Sequence, residues 1–239
     1  MRRLARGPTR APRLRTELLV RARSGALPQI HATGGLAARR TGPDTVHLIG
    51  TAATPLGGDE LDITVTVEPG ARLAVRSVAA TIALPGRSTR KSVAHWHFEV
   101  GEGGVLDFDP EPTVVAGAAE HEATTTIVLA EGARLRVRER VQIGRTGEDA
   151  GRWRGDLLAD LAGLPLLRHR LDLGAGTATD DTLSAARALS SVFTYPSENT
   201  PHTTGLNAAL LPLAAGGSLY TWTGRNLTSE PSPTTNSAA

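Results

Sequence analysis

One nine-residue pattern occurs three times in this chain: Val67-Glu-Pro-Gly-Ala-Arg-Leu-Ala-Val75, Val100-Gly-Glu-Gly-Gly-Val-Leu-Asp-Phe108 and Leu129-Ala-Glu-Gly-Ala-Arg-Leu-Arg-Val137. Each copy reads as the end of one strand, a tight turn and the start of the next strand, with glycine supplying the positive φ that such a turn needs. The aligned leucines Leu73, Leu106 and Leu135 lie 33 and 29 residues apart, the period range of stacked units that share one continuous core. A chain built this way is expected to be mainly β, as a stacked β-hairpin or solenoid-like double sheet.

The surrounding sequence agrees. From Glu17 to about Leu173 apolar and polar residues alternate, and Gly and Pro punctuate them at strand-length intervals. Leu61, Ile63, Val65 and Val67 fall on one face of a strand, with Asp62, Thr64 and Thr66 on the other. Helix is expected only near the C-terminus. Asp180–Ser190 has acidic residues at its start followed by good helix formers, a second helix is expected within Leu206–Leu213, and a strand follows around Leu219–Thr223. The expected organisation is a basic disordered arm over residues 1–16, a single β-rich domain over 17–227 and a disordered tail over 228–239.

Composition removes several functions. With no cysteine, thiolate catalysis, Cys-based zinc sites and iron–sulfur ligation are excluded, so any metal would need His, Asp, Glu or backbone oxygen. The single lysine, Lys91, is in no Gly-Lys-Ser/Thr sequence, so the chain has no phosphate-cradling P-loop. Residues 1–40 hold ten Arg and one acid, Glu17, whereas the remainder holds 16 basic and 23 acidic groups, a poor surface for nucleic acid. No window reaches the roughly 18 uninterrupted apolar residues of a membrane-spanning helix, and a soluble protein is expected.

Motifs of known chemistry are equally sparse. His121-Glu122 lacks the second histidine of a zincin helix, no Gly-x-Ser-x-Gly elbow exists, and Gly174-Ala175-Gly176 lacks the third glycine of a dinucleotide fingerprint. His95-Trp96-His97 would place two imidazoles on one strand face, which is two ligands short of a metal site. Between Glu99 and Glu122 lie seven acids and no Lys or Arg, a pattern that a solvated sheet edge also produces. Gly57-Gly58-Asp59 fits hairpin chemistry in which Asp59 caps its own turn. Glu139, between Arg138 and Arg140, fits a structural ion pair.

Taken in order, these clusters resemble the urease accessory protein family UreD, called UreH in some organisms. Gly57-Gly58-Asp59 precedes a long strand, and Ala79-Ala80-Thr81 comes after the first Gly-Ala-x-Leu copy. Leu106 to Ala118 carries the proline-spaced stretch that ends in Gly-Ala, and Gly144-Arg-Thr-Gly-Glu148 stands for the Gly-Arg-x-x-Gly-Glu signature. The likeness spans roughly residues 17–225. It implies a cytoplasmic scaffold rather than an enzyme: a protein that docks on apo-urease together with UreF-type and UreG-type (GTPase) accessory proteins and passes nickel to the urease active site. No tightly bound cofactor is implied, only nickel in transit. By the same resemblance Asp59, Glu139 and Glu148 are the candidate metal-transfer residues, with turn capping or pairing to Arg138, Arg140 or Arg145 as the structural alternative for each. Partner contacts would fall on the C-terminal part, including Phe193-Thr194-Tyr195, for which core packing is the alternative. The competing reading is a β-rich interaction or assembly module without metal transfer.

Overall fold

The computed structural model describes residues 14–178, 180, 185–198, 201–203 and 206–231. Eighteen strands follow in order: β1 (Arg15–Arg23), β2 (Ala26–Thr33), β3 (Leu36–Arg40), β4 (Thr45–Gly50), β5 (Glu60–Val67), β6 (Arg72–Ser77), β7 (Thr81–Ala83), β8 (Lys91–Val100) and β9 (Val105–Phe108). The second half comprises β10 (Thr113–Val115), β11 (Glu120–Leu129), β12 (Arg134–Ile143), β13 (Arg152–Leu161), β14 (Leu164–Gly174), β15 (Ala188–Tyr195), β16 (His202–Thr203), β17 (Ala208–Pro212) and β18 (Ser218–Gly224). The only helical segment among the described residues is a short 3-10 turn, Leu227–Ser229.

The strands form two facing sheets. One has seven strands in the order β14-β13-β11-β8-β5-β1-β2; the other has eleven, with β16-β17-β18-β15-β12-β9-β6-β4-β3 as its main path and β7 and β10 beside it. The repeat explains this arrangement. Its three turns occupy residues 68–71, 101–104 and 130–133, and each carries the chain from the first sheet (β5, β8, β11) to the second (β6, β9, β12). The strands flanking a turn therefore do not pair with each other, so the turns are corners of a solenoid-like stack rather than hairpin loops. Equivalent strands of successive copies pair in parallel instead, with Leu73 opposite Leu106 and Leu106 opposite Leu135.

The corners stack as well. Gly70, Gly103 and Gly132 all take the third turn position with φ of +66°, +63° and +70°, where a side chain would be strained. Ala71 and Ala133 fill the fourth position, both 1% exposed. Inside this stack the alternation read from the sequence becomes a dry core: Ile63, Val65, Phe98, Val100, Leu106 and Ile127 are each at most 1% exposed. Trp96 makes edge-on ring contacts with Phe98 and Phe108 at centroid distances of 6.2 and 5.2 Å, and Phe98 and Phe108 form a tilted pair at 4.8 Å. A smaller apolar cluster, including Val115, Val141, Ile143, Trp153 and Leu173, closes the far end.

Among the described residues the expected C-terminal helices are not formed. In the segment Asp180–Ser190, residues 181–184 lie outside the described residues, Ala185 has φ +53°, and Ala188–Ser190 open β15. The segment Leu206–Leu213 supplies β17. Helix propensity lost to tertiary pairing: β15 and β17 complete the second sheet, β15 lying between β12 and β18. The strand expected at Leu219–Thr223 is present as β18. The basic arm and the tail fall largely on residues 1–13 and 232–239, outside the described residues. β1 already begins at Arg15, and Glu230 is held by both its carboxylate oxygens on Arg138, at 2.8 and 2.9 Å.

Candidate functional site

The second sheet is interrupted, and two prolines show why. β9 pairs with β12 from Arg134 to Val137, and β10 pairs with β12 from Val141 to Ile143. Between them runs Asp109-Pro110-Glu111-Pro112, whose prolines have no N–H to give to a ladder. At the same level β4 stops at Gly50 and β6 at Ser77, and pairing resumes only with the Leu56–Leu84 bridge and the β7–β10 pair. On this side Arg138, Glu139 and Arg140 of β12 thus cross a transverse slot without a ladder partner. The rim is fixed on the outer face by ion pairs. Arg136 binds Asp107 at 3.1 Å and Asp109 at 3.0 Å, Arg140 binds Asp109 at 3.3 Å, and Arg76 binds Asp107.

Behind the slot, between the large core and the smaller cluster, lies a cavity of about 490 Å³. The first sheet contributes Ala94, Trp96, His121, Ala123, Thr125 and Leu157 to its wall; the second contributes Val137, Glu139 and Ser191; Thr54, Pro55, Val78 and Ile82 belong to the loops and short strand at its rim.

Glu139 is the distinctive group in this wall. β12 alternates, so Leu135, Val137, Glu139, Val141 and Ile143 share the inward face while Arg136, Arg138 and Arg140 point the other way. The ion pair expected from its arginine neighbours is therefore not made. Among the described residues no group donates a hydrogen bond to its carboxylate, and burial alone raises its pKa to about 7. The surface it retains is cavity wall rather than outer surface, which is how a part-buried side chain is so strongly desolvated.

His121 faces the same space from β11. Its imidazole is 5% exposed, and burial, opposed by the nearby Glu122 charge, lowers its pKa to about 4, so the ring is neutral at pH 7. Nδ1 lies 3.0 Å from the Ser92 hydroxyl.

The other two sequence candidates are committed to structure. Asp59, 7% exposed, accepts from the Leu14 amide at 3.2 Å, the Thr54 hydroxyl at 2.9 Å and the Leu56 amide at 2.9 Å, which is the turn-capping geometry. It organises the loop that brings Thr54 and Pro55 to the cavity rim without forming part of the wall itself. Gly57 has to be glycine there, because a Cβ would come 2.0 Å from the Thr89 carbonyl oxygen. Glu148 binds the Arg145 side chain at 3.1 Å and the amides of Gly117 and Arg145 at 2.8 and 3.1 Å. Arg145 is the largest of the causes that hold its pKa down at about 2. The Gly144–Glu148 signature is thus a clamp tying the exit of β12 to the turn before β11, and only Arg145 of it touches the cavity.

The histidine pair divides. His95 and His97 share the outer face of β8; His97 binds Glu99 at 2.9 Å, and the ligand atoms of His95, Glu60 and Asp62 lie within 4.8 Å of one another, where Arg15 already reaches Asp62 at 3.2 Å. Phe193 is fully buried, so core packing describes it. The sequence reading set His121 aside and did not single out Thr125 or Ser191. The signal was present in the inward rows, since His121-x-Ala123-x-Thr125-x-Ile127-x-Leu129 carries polar residues among apolar ones, as the inward row of β12 does at Glu139.

Residues 13–225 match the family described as UreD urease accessory protein. A protein of Saccharopolyspora erythraea called urease accessory protein UreD 1 is 41% identical over 190 residues, covering 78% of this chain and 74% of that one. Urease accessory protein UreD of Frankia alni is 42% identical over 218 residues, 80% and 73% of the two chains. The UreD of Streptomyces avermitilis is 38% identical over 209 residues, 82% and 83%. With a match over nearly the whole described fold and relatives at this level, the chain belongs to the UreD family of urease accessory proteins.

Proposed function

We propose that this protein is a non-catalytic urease maturation factor that docks on apo-urease with UreF-type and UreG-type partners in the cytoplasm and passes nickel through the cavity behind the slot. The observation that carries this reading is Glu139: an acidic side chain on the inward face of a β-solenoid, without a partner among the described residues, at the level where the second sheet is interrupted. A structural carboxylate in that position would be expected to have donors, whereas a transfer path needs an oxygen ligand that is free. Nickel(II) accepts oxygen and nitrogen donors, and sparse donors on an otherwise apolar wall bind weakly enough to release. Around Glu139 the wall offers the neutral donors Thr125, Ser191 and His121, and its lining also includes Arg138, Arg140, Arg145 and Glu111. Asp59 and Glu148 serve the path indirectly in this account, the first by shaping the rim loop and the second by bracing the end of β12.

The test is a host carrying the urease genes with this gene alone deleted, compared with the complemented strain. Nickel-poor, inactive urease restored by complementation is the expected result. Nickel-loaded, active urease in the deletion strain would overturn the proposal.

A further inference from the structure

We propose that His121 is a nitrogen ligand for the divalent cation inside the cavity, a station on the first sheet that complements the Glu139 carboxylate on the second. The inference rests on the nickel-passage reading but names a residue and a donor atom that this reading does not require. Ser92 sets the geometry. Its hydroxyl lies 3.5 Å from the Glu120 carbonyl oxygen, toward which it donates, and 3.0 Å from His121 Nδ1. In the tautomer whose Nδ1–H donates to Ser92 Oγ, the hydroxyl is free to turn toward Glu120 and the lone pair is left on Nε2. Among the described residues Nε2 has no hydrogen-bond partner, and His121 is part of the cavity wall.

A neutral imidazole with one nitrogen fixed by a hydrogen bond and the other bare is the form in which histidine ligates metals, and the fixing partner both orients the ring and makes it a better donor. A core histidine with a purely packing role would be expected to satisfy both nitrogens. Glu122, next to His121, points to the outer face, where Lys91 binds it at 2.6 Å, and takes no part. The proposed pair is one borderline nitrogen donor and one oxygen donor on facing walls, a set suited to nickel, zinc or cobalt rather than magnesium or calcium.

Nickel(II) titration of the full chain by calorimetry, for the wild type, His121→Gln and Ser92→Ala, tests this. His121→Gln is expected to lose one binding event or weaken it at least tenfold. Ser92→Ala keeps the ligand but frees the ring, and should weaken the same event by about tenfold. Magnesium should bind none of the three measurably at this site. Unchanged nickel stoichiometry and affinity in both variants would overturn the proposal; should His121→Gln fail to fold, Ser92→Ala alone decides. The outcome is separable from the maturation reading, because a strain rescued to full urease nickel content by His121→Gln, with calorimetry unchanged, sinks the ligand and leaves the maturation role standing.

Discussion

Along β12 the inward positions Leu135 and Val137 belong to the large core, and one step further the same row presents Glu139 to a cavity. In the repeat stack, in-register leucines and three superposed corners close every gap. At the slot, proline breaks the ladder, three consecutive residues of β12 run without a partner on one side, and an unpaired carboxylate is held where burial opposes its charge. The stack is organised for stability and the slot against it. Local rules broken at one level and obeyed elsewhere mark the place where function is expected.

The largest effect should come from the stack. Leu106, 1% exposed between Leu73 and Leu135, when changed to Ala should cost about 2–5 kcal/mol in denaturant unfolding, with urease maturation falling only as far as folded protein is lost.

The slot should respond in the opposite direction. Glu139 titrates near 4.5 in the unfolded chain and near 7 in the fold, so the folded state holds the proton more tightly and loses stability as pH rises through that window. Glu139→Gln should therefore unfold like the wild type below about pH 4.5 and be more stable above about pH 7, by up to about 3 kcal/mol. A wild type more stable than Glu139→Gln at pH 8 would mean that the carboxylate has a partner and is structural.

How far the two regions could be read from sequence differs for the same reason. Turn glycines, aligned leucines and period-two alternation are local signals, so the stacked double sheet was legible from Val67 to Val137. Glu139 was legible as a candidate, but its setting was not: whether a Glu between two arginines pairs with them depends on which face each takes, and alternation along β12 settles that only once the strand's register against β9, β10 and β15 exists. His121 was masked because its neighbour Glu122 invited comparison with a helical zinc motif, whereas in a strand the two point to opposite sides. The C-terminal helices failed because Ala188 and Leu189 complete a sheet by pairing with Gln142 and Val141, 46 and 48 positions earlier in the chain.

Two smaller effects sharpen the contrast. Gly103→Ala meets open space but keeps φ +63°, so it should cost about 1–2 kcal/mol in thermal or denaturant unfolding; a Gly132→Ala variant should match it, since the corners are equivalent. Glu148→Gln should lower stability modestly at pH 7. Its folded pKa lies near 2, below the ordinary value of 4.5, so the contribution is complete above about pH 4.5 and disappears as pH falls toward 2, where the variant and wild-type melting curves should converge.

The most direct test of the central claim, that the slot gives up stability in order to carry nickel, is the nickel content of urease matured in a strain whose only copy of this protein carries Glu139→Leu. The variant is expected to be folded and more stable than the wild type at pH 8, and to yield nickel-poor urease. Urease loaded with nickel to the wild-type level by that variant would contradict the account.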